Sequence, residues 1–200
     1  MGAPHPSVDA AIDDAVACLL DAGYKIKEIE FPILREAYPL WNFLIFEEMR
    51  ATMPTILEHA DDTVRANMLA TLEVTERMWG PPPALSEYAH QWSRRGTLVA
   101  RAEAALREFP ILLTPSSAEP PFVQDRDTRG ADEVEAMTAA QWPQITVPVL
   151  GLPAVSVPTG IADGLPTGVQ LVGGRHSDLM LLDAADQIEA RTGRFWPPAR

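Results

Sequence analysis

The chain has 200 residues and a mass of 21.9 kDa, with 46% hydrophobic and 22% charged residues, a globular balance that excludes wholesale disorder. Its 28 acidic against 16 basic residues leave a formal net charge of −12, a field that repels phosphates and excludes nucleic acid or an anionic membrane as a main partner. One cysteine, Cys18, excludes an internal disulfide and Cys-based zinc sites.

The opening MGAPHPSVDAA lacks the basic residues and apolar run of a signal peptide. No stretch approaches the roughly 20 apolar residues of a bilayer span, so a soluble, cytoplasmic protein is expected. Residues 8–22 carry Val8, Ile12, Ala15, Val16, Leu19 and Leu20 at helical spacing, with Ser7 as N-cap and Gly23 just past the end. Cys18 lies beside that stripe and is expected to pack as a core thiol. Residues 24–31 alternate apolar and polar up to Pro32, the pattern of a half-exposed strand. Helical runs follow over 34–58, over 62–79 up to Gly80 and three prolines, and from Ser86 to Phe109.

After Pro110 the character changes. Ile111–Pro115 is a short apolar run closed by proline, as in a buried strand. Residues 116–141 form a long polar excursion with room for one short helix. Val147–Pro153 leads into a strand at Ala154–Pro158. Gly160–Pro166 is a turn, Thr167–Gly174 a strand with a glycine exit, and residues 178–192 a closing helix. The sum is α/β, with a helical first half and a strand-rich second half.

Catalytic signatures in the sequence are few. There is no Gly-x-Ser-x-Gly nucleophile turn, no phosphate-binding glycine loop, and no pair of histidines at i, i+4. Asp125, Asp127, Asp132 and Glu133 resemble an oxygen-ligand cluster, but Arg126 and Arg129 interleave with them, so a self-paired loop is expected and no metal or cofactor. Ser116 and Ser117 follow a buried strand, where active-site loops lie, yet Pro115, Ala118 and Pro120 supply neither a base nor an oxyanion hole.

Gly151-Leu-Pro-Ala-Val-Ser-Val-Pro-Thr-Gly160, followed by Gly164-Leu-Pro-Thr-Gly-Val-Gln-Leu-Val-Gly173 and an Asp-Leu-Met-Leu-Leu helix, resembles the C-terminal portion of amidase signature family hydrolases. Leu85-Ser-Glu-Tyr88, the Phe109–Pro115 strand and the helix–Gly23–strand–Pro32 unit are similar to that family's segments. Physics suits the motif, of which Gly168 and Gln170 are part: Gly151 and Gly164 allow turns that other residues would strain, Pro153, Pro158 and Pro166 fix strand ends, and Val155, Val157, Val169, Leu171 and Val172 supply apolar faces for a covered sheet.

The resemblance implies part of a mixed β-sheet covered by helices, with residues 1–200 forming a single region of one amidase domain. It implies hydrolysis of a carbon–nitrogen bond in a small-molecule amide. The family's nucleophilic serine, second serine and lysine base sit in a Gly- and Ser-rich N-terminal half that has no counterpart here, and Lys25 and Lys27 do not match that lysine. The chain is therefore expected to be inactive alone and to associate with a missing N-terminal half or with itself. Spacing from Gly151 places Gln141, Trp142 and Gln144 in the substrate pocket, near Thr114. The glutamines would hydrogen-bond an amide and Trp142 would wall an apolar group, while Pro148 stands where many members have Asn. The alternative is a non-catalytic binding or scaffold protein that retains the amidase fold, and a third reading makes Ser116 or Ser117 a nucleophile.

Overall fold

The structure, a computed structural model, describes residues 3–193. Helix α1 (Pro6–Asp21) buries Val8, Ala11, Ala15 and Leu19 along one stripe. Its N-cap is His5, not Ser7: the Ser7 amide donates to His5 Nδ1 at 3.3 Å. Pro6 takes the first helical position, where its missing N–H costs nothing, and this moves the cap back.

Residues 24–31, expected as a strand, have no regular structure and no ladder partner among the described residues. Alternation makes a segment compatible with a sheet, but only a neighbouring strand's amides and carbonyls make it one. The segment is instead held by side chains. Tyr24 donates to Asp183 at 3.1 Å, Lys27 lies 5.2 Å from the Phe109 ring centroid, and Phe31 packs on the core.

Helices α2 (Pro32–His59), α3 (Asp62–Trp79) and α4 (Leu85–Glu108) follow as the periodicity predicts. Asp61 caps α3 by accepting the Val64 amide at 2.8 Å. Strand β1 (Ile111–Pro115) opens the second half, and the excursion after it contains a single 3-10 turn at Arg126–Thr128 and helix α5 (Ala131–Ala140). Helix α6 (Trp142–Leu150) then occupies residues expected to lead into a strand. Pro143 sits in its first turn, where proline is tolerated, and Gly151 ends it in the left-handed region at φ 65°.

Strands β2 (Ala154–Ala162) and β3 (Leu165–Gly173) form a hairpin, and α7 (Asp178–Thr192) closes the chain. The expected turn at 160–166 shrinks to Asp163-Gly164, at φ 51° and 77°, because Asp-Gly suits a two-residue hairpin turn and lets both strands run to it. Pro158 and Pro166 thus lie inside strands, with Pro158 at a β-bulge on the outermost strand, where its missing N–H is tolerated.

The sheet order is β1-β3-β2, antiparallel throughout, so of the mixed sheet expected from the resemblance only an antiparallel part is present among the described residues. Register sorts its faces. Leu113, Leu171 and Val155 form one row and Pro115, Val169 and Val157 another. Val157, Val169 and Leu171 pack with α1 and α7 through Leu19, Leu181 and Ile188. Fully burying each such side chain contributes about 1.5–3 kcal/mol. Leu112 and Val172 belong to the opposite face, under α2, α4 and α6. Cys18 packs against the α1–α7 side as a partly buried thiol.

Between these layers Gln170 is buried, 5% exposed, and its Nε2 donates to Thr114 Oγ1 (3.3 Å) and to the Pro143 carbonyl (3.2 Å), tying β3 to β1 and to the start of α6. Replacing Gln170 by Ala is expected to lower stability by about 1–3 kcal/mol, since the buried Thr114 hydroxyl loses its partner and the Pro143 carbonyl keeps only its bond from the Thr146 hydroxyl (3.2 Å) among the side-chain contacts described. Gly168→Ala is expected to cost a similar ~1–3 kcal/mol, because a Cβ there would sit 2.7 Å from the Val157 carbonyl oxygen. Urea unfolding midpoints check both, and an unchanged midpoint in either variant contradicts the packing described.

Candidate functional site

Beyond Pro115 the chain leaves β1 and is pinned at Ala118. Its N–H donates to the Ala140 carbonyl (2.8 Å) and its carbonyl accepts the His5 amide (2.8 Å), so one buried residue joins the end of α5 to the start of α1. Ser116 and Ser117 are thereby held between β1 and these helix ends. Together with Ser7, Gln141, Phe122 and Thr167 they line a cavity of about 270 Å³, with the Pro120-Pro121 pair and Pro166 among its apolar surfaces.

Gln141 lies at the junction of α5 and α6. Its N–H donates to the Met137 carbonyl (3.1 Å) and its carbonyl accepts the amides of Gln144 (3.1 Å) and Ile145 (3.2 Å). The helix ends thus use its main chain, and its side-chain amide makes no hydrogen bond among the described residues, which leaves both its donor and its acceptor for a ligand.

The other expected pocket residues are placed elsewhere. Trp142 packs against the α2–α4–α6 core, its indole N–H buried without a partner among the described residues. Gln144 is exposed on α6. Thr114 is buried, its hydroxyl taken by Gln170. Ser7, Phe122 and Thr167 were not singled out by sequence, and Thr167 had only its place beside the hairpin motif to recommend it.

Two of these serines have local hydrogen-bond partners. Ser117 Oγ accepts the Glu119 amide at 3.2 Å, a local turn contact. The Ser7 hydroxyl lies 2.8 Å from His5 Nδ1, but that nitrogen also accepts the Ser7 amide, which holds the ring as a helix cap. Serines, threonine and one glutamine against proline and phenylalanine can bind and orient a neutral amide.

Charge around the cavity is organised by Arg126. It bonds Glu133 through Nε (2.6 Å) and Glu119 through NH1 (2.8 Å), and lies 5.2 Å from the Phe122 ring centroid. The hydrogen bonds it donates to Glu133 first, then to Glu119, hold the guanidinium above its already high ordinary pKa, so it stays charged. Of the self-paired loop expected from Asp125, Asp127, Asp132 and Glu133, only Glu133 pairs within it among the described residues, with Arg126. Asp132 bonds Arg77 and Asp127 accepts Asn67 Nδ2 at 3.3 Å, both on α3, because α3 packs against the excursion and offers nearer donors, while Arg129 donates to the Gln124 carbonyl at 3.1 Å. Among the described residues no group of His, Cys, Asp and Glu is placed to hold a metal, and no helix is long and apolar enough to cross a membrane.

Comparison with known proteins agrees with this architecture. A sequence profile of the Amidase family matches residues 1–182. An indoleacetamide hydrolase of Bradyrhizobium japonicum is 29% identical over 96% of this chain, which spans 41% of that relative's length. A second indoleacetamide hydrolase, from Bradyrhizobium diazoefficiens, is 29% identical over 96% of this chain and 37% of its own. The allophanate hydrolase of Kluyveromyces lactis superposes with a TM-score of 0.76 at 20% identity, over 98% of this chain and 32% of that one, a likeness of fold. The chain belongs to the Amidase family of carbon–nitrogen hydrolases and spans about two fifths of the length of the indoleacetamide hydrolases it matches.

Proposed function

We propose that residues 1–200 are the C-terminal portion of an amidase domain and supply part of its sheet and one wall of its amide-binding pocket. The observation that carries this reading is the bond-free Gln141 side chain on a small, mostly apolar cavity at the end of β1, in a chain of the Amidase family. A primary amide offers one carbonyl acceptor and one amine donor, and a glutamine side chain answers both. The nucleophile and base are supplied by the part of the domain that this chain does not span, so the chain alone turns nothing over. The pocket contact narrows to Gln141, with Trp142 holding α6 on the core.

An association surface supports the same reading. The outer edges of β1 and β2 have no strand partner among the described residues, and Leu179 and Leu182 on α7 are 82% and 55% exposed. Open edges and uncovered apolar side chains favour pairing with the remaining domain or with a second copy. A second reading, a cytoplasmic binding or scaffold protein on the amidase fold, is favoured by the cavity being built from this chain's own elements. Hydrolysis appearing when the chain is expressed with its preceding coding sequence decides for the first reading. Amide binding that never becomes turnover decides for the second.

Intact-mass analysis after exposure to a fluorophosphonate, a probe of activated serines, is expected to show no adduct. A single stoichiometric adduct lost on replacing Ser116 and Ser117 by Ala would place the nucleophile inside this chain and overturn the proposal. Sedimentation of the isolated chain is expected to show species larger than a monomer; a monomer that melts cooperatively contradicts the association. Trp142→Ala is expected to cost about 2–4 kcal/mol in urea unfolding, whereas Gln144→Ala stays within about 0.5 kcal/mol.

A further inference from the structure

The pocket assigned to amide binding has a charge character of its own. At about 270 Å³ it lies just under the usual range for ligand sites, room for one ring and an amide group. No Lys or Arg lines it, and its one charged lining residue is Glu119. Phe122 forms part of its wall, while Arg126, which lies over that ring, is not a lining residue. The guanidinium is held by two carboxylates, Glu119 and Glu133, so the cluster behind and beside the ring carries one positive and two negative charges. A cation over one face of an aromatic ring also fixes that ring's plane.

The start of α1 borders the cavity at Ser7 and Val8, and a helix start can offer an anion its backbone amides. Here His5 has taken them: its Nδ1 accepts the Ser7 amide and its carbonyl accepts those of Val8 (2.8 Å) and Asp9 (3.2 Å). A ligand carboxylate entering here meets a glutamate, no cation, and a chain of net charge −12.

We infer that this cavity selects uncharged, ring-bearing amides and rejects amides that carry a carboxylate, with Phe122 as the ring platform and Glu119 as the group that discriminates. This rests on the proposed pocket role and adds the class of amide that the pocket takes.

The test is nuclear magnetic resonance titration of the isotopically labelled chain with two probes that differ by one carboxylate, phenylacetamide and 4-carboxyphenylacetamide. Phenylacetamide is expected to shift the amide signals of Ser116, Phe122 and Gln141 with a Kd on the order of 1 mM, and the carboxylated probe to bind at least about tenfold more weakly. Phe122→Ala is expected to weaken phenylacetamide severalfold. Glu119→Gln, which removes the negative charge and keeps the side chain's size, is expected to narrow the gap between the probes. A merely structural Glu119 would move both probes alike, and a dispersed spectrum of each variant shows that it is folded. Equal binding of the two probes, tighter binding of the carboxylated one, or a gap untouched in Glu119→Gln overturns the inference while leaving the pocket role standing. Shifts confined to residues away from the cavity, or none, overturn both.

Discussion

The arrangement depends on one buried amide. Gln170 sits mid-strand on β3, on the face that packs towards α6, where an apolar residue would satisfy the core equally well by area. Its Nε2 instead directs its donors to the Thr114 hydroxyl and the Pro143 carbonyl. Pro143 lies in the first turn of α6, so that bond fixes the helix start against the sheet. The residue just before α6 is Gln141, and its place at the cavity follows. A buried amide with its partners removed is strongly unfavourable, which makes the geometry all-or-none and allows little drift in the pocket wall.

A second pin acts beside the first. Ala118 joins the carbonyl of Ala140 to the amide of His5, and so brings together chain segments more than a hundred residues apart. Its side chain is only a methyl, and its role is carried by its main-chain groups. No substitution pattern or charge marks it in the sequence. Its small size matters all the same, because at 4% exposure a larger residue would push α1 off the loop that carries Ser116 and Ser117.

Much of the fold was legible because the helices carry strong periodicity. The stripe of α1, the 62–79 run of α3 and the Asp-Leu-Met-Leu-Leu run of α7 all report local rules that tertiary packing did not need to override. The failures share a cause. Residues 142–150 contain Ile145, Thr146, Val147 and Val149 with two prolines, a composition that favours a strand. The helix forms because Pro143 falls in its first turn and Gly151 can end it at positive φ, and because Val147 and Leu150 find a core waiting under α2 and α4. Residues 24–31 fail in the opposite sense, since they have the right alternation but no neighbour to pair with. Of the residues that line the cavity, Gln141 is singled out through the family resemblance and its spacing from Gly151. Ser7 and Thr167 were out of reach, because they approach the cavity only when α1 and the β2–β3 hairpin are assembled.

The sheet is covered on both faces by this chain's own helices and, among the described residues, has no strand partner along either edge. Those two facts have different physical consequences. Face coverage buries Val169, Leu171 and Val172 almost completely, so the hydrophobic drive to form the three-layer core is internal to the chain. Edge pairing supplies directional hydrogen bonds and sets which strand lies next to which, a matter of alignment more than of collapse. The cavity wall at the end of β1 can therefore take its shape from the core, and on the proposed reading the reacting groups of the rest of the domain would be aligned through the edges. On that reading, a carbon–nitrogen hydrolase divided in this way would keep amide recognition on one side of the join and bond cleavage on the other. The Gln170 and Ala118 pins fix the cavity wall to β1, to α6 and to the start of α1 within this chain.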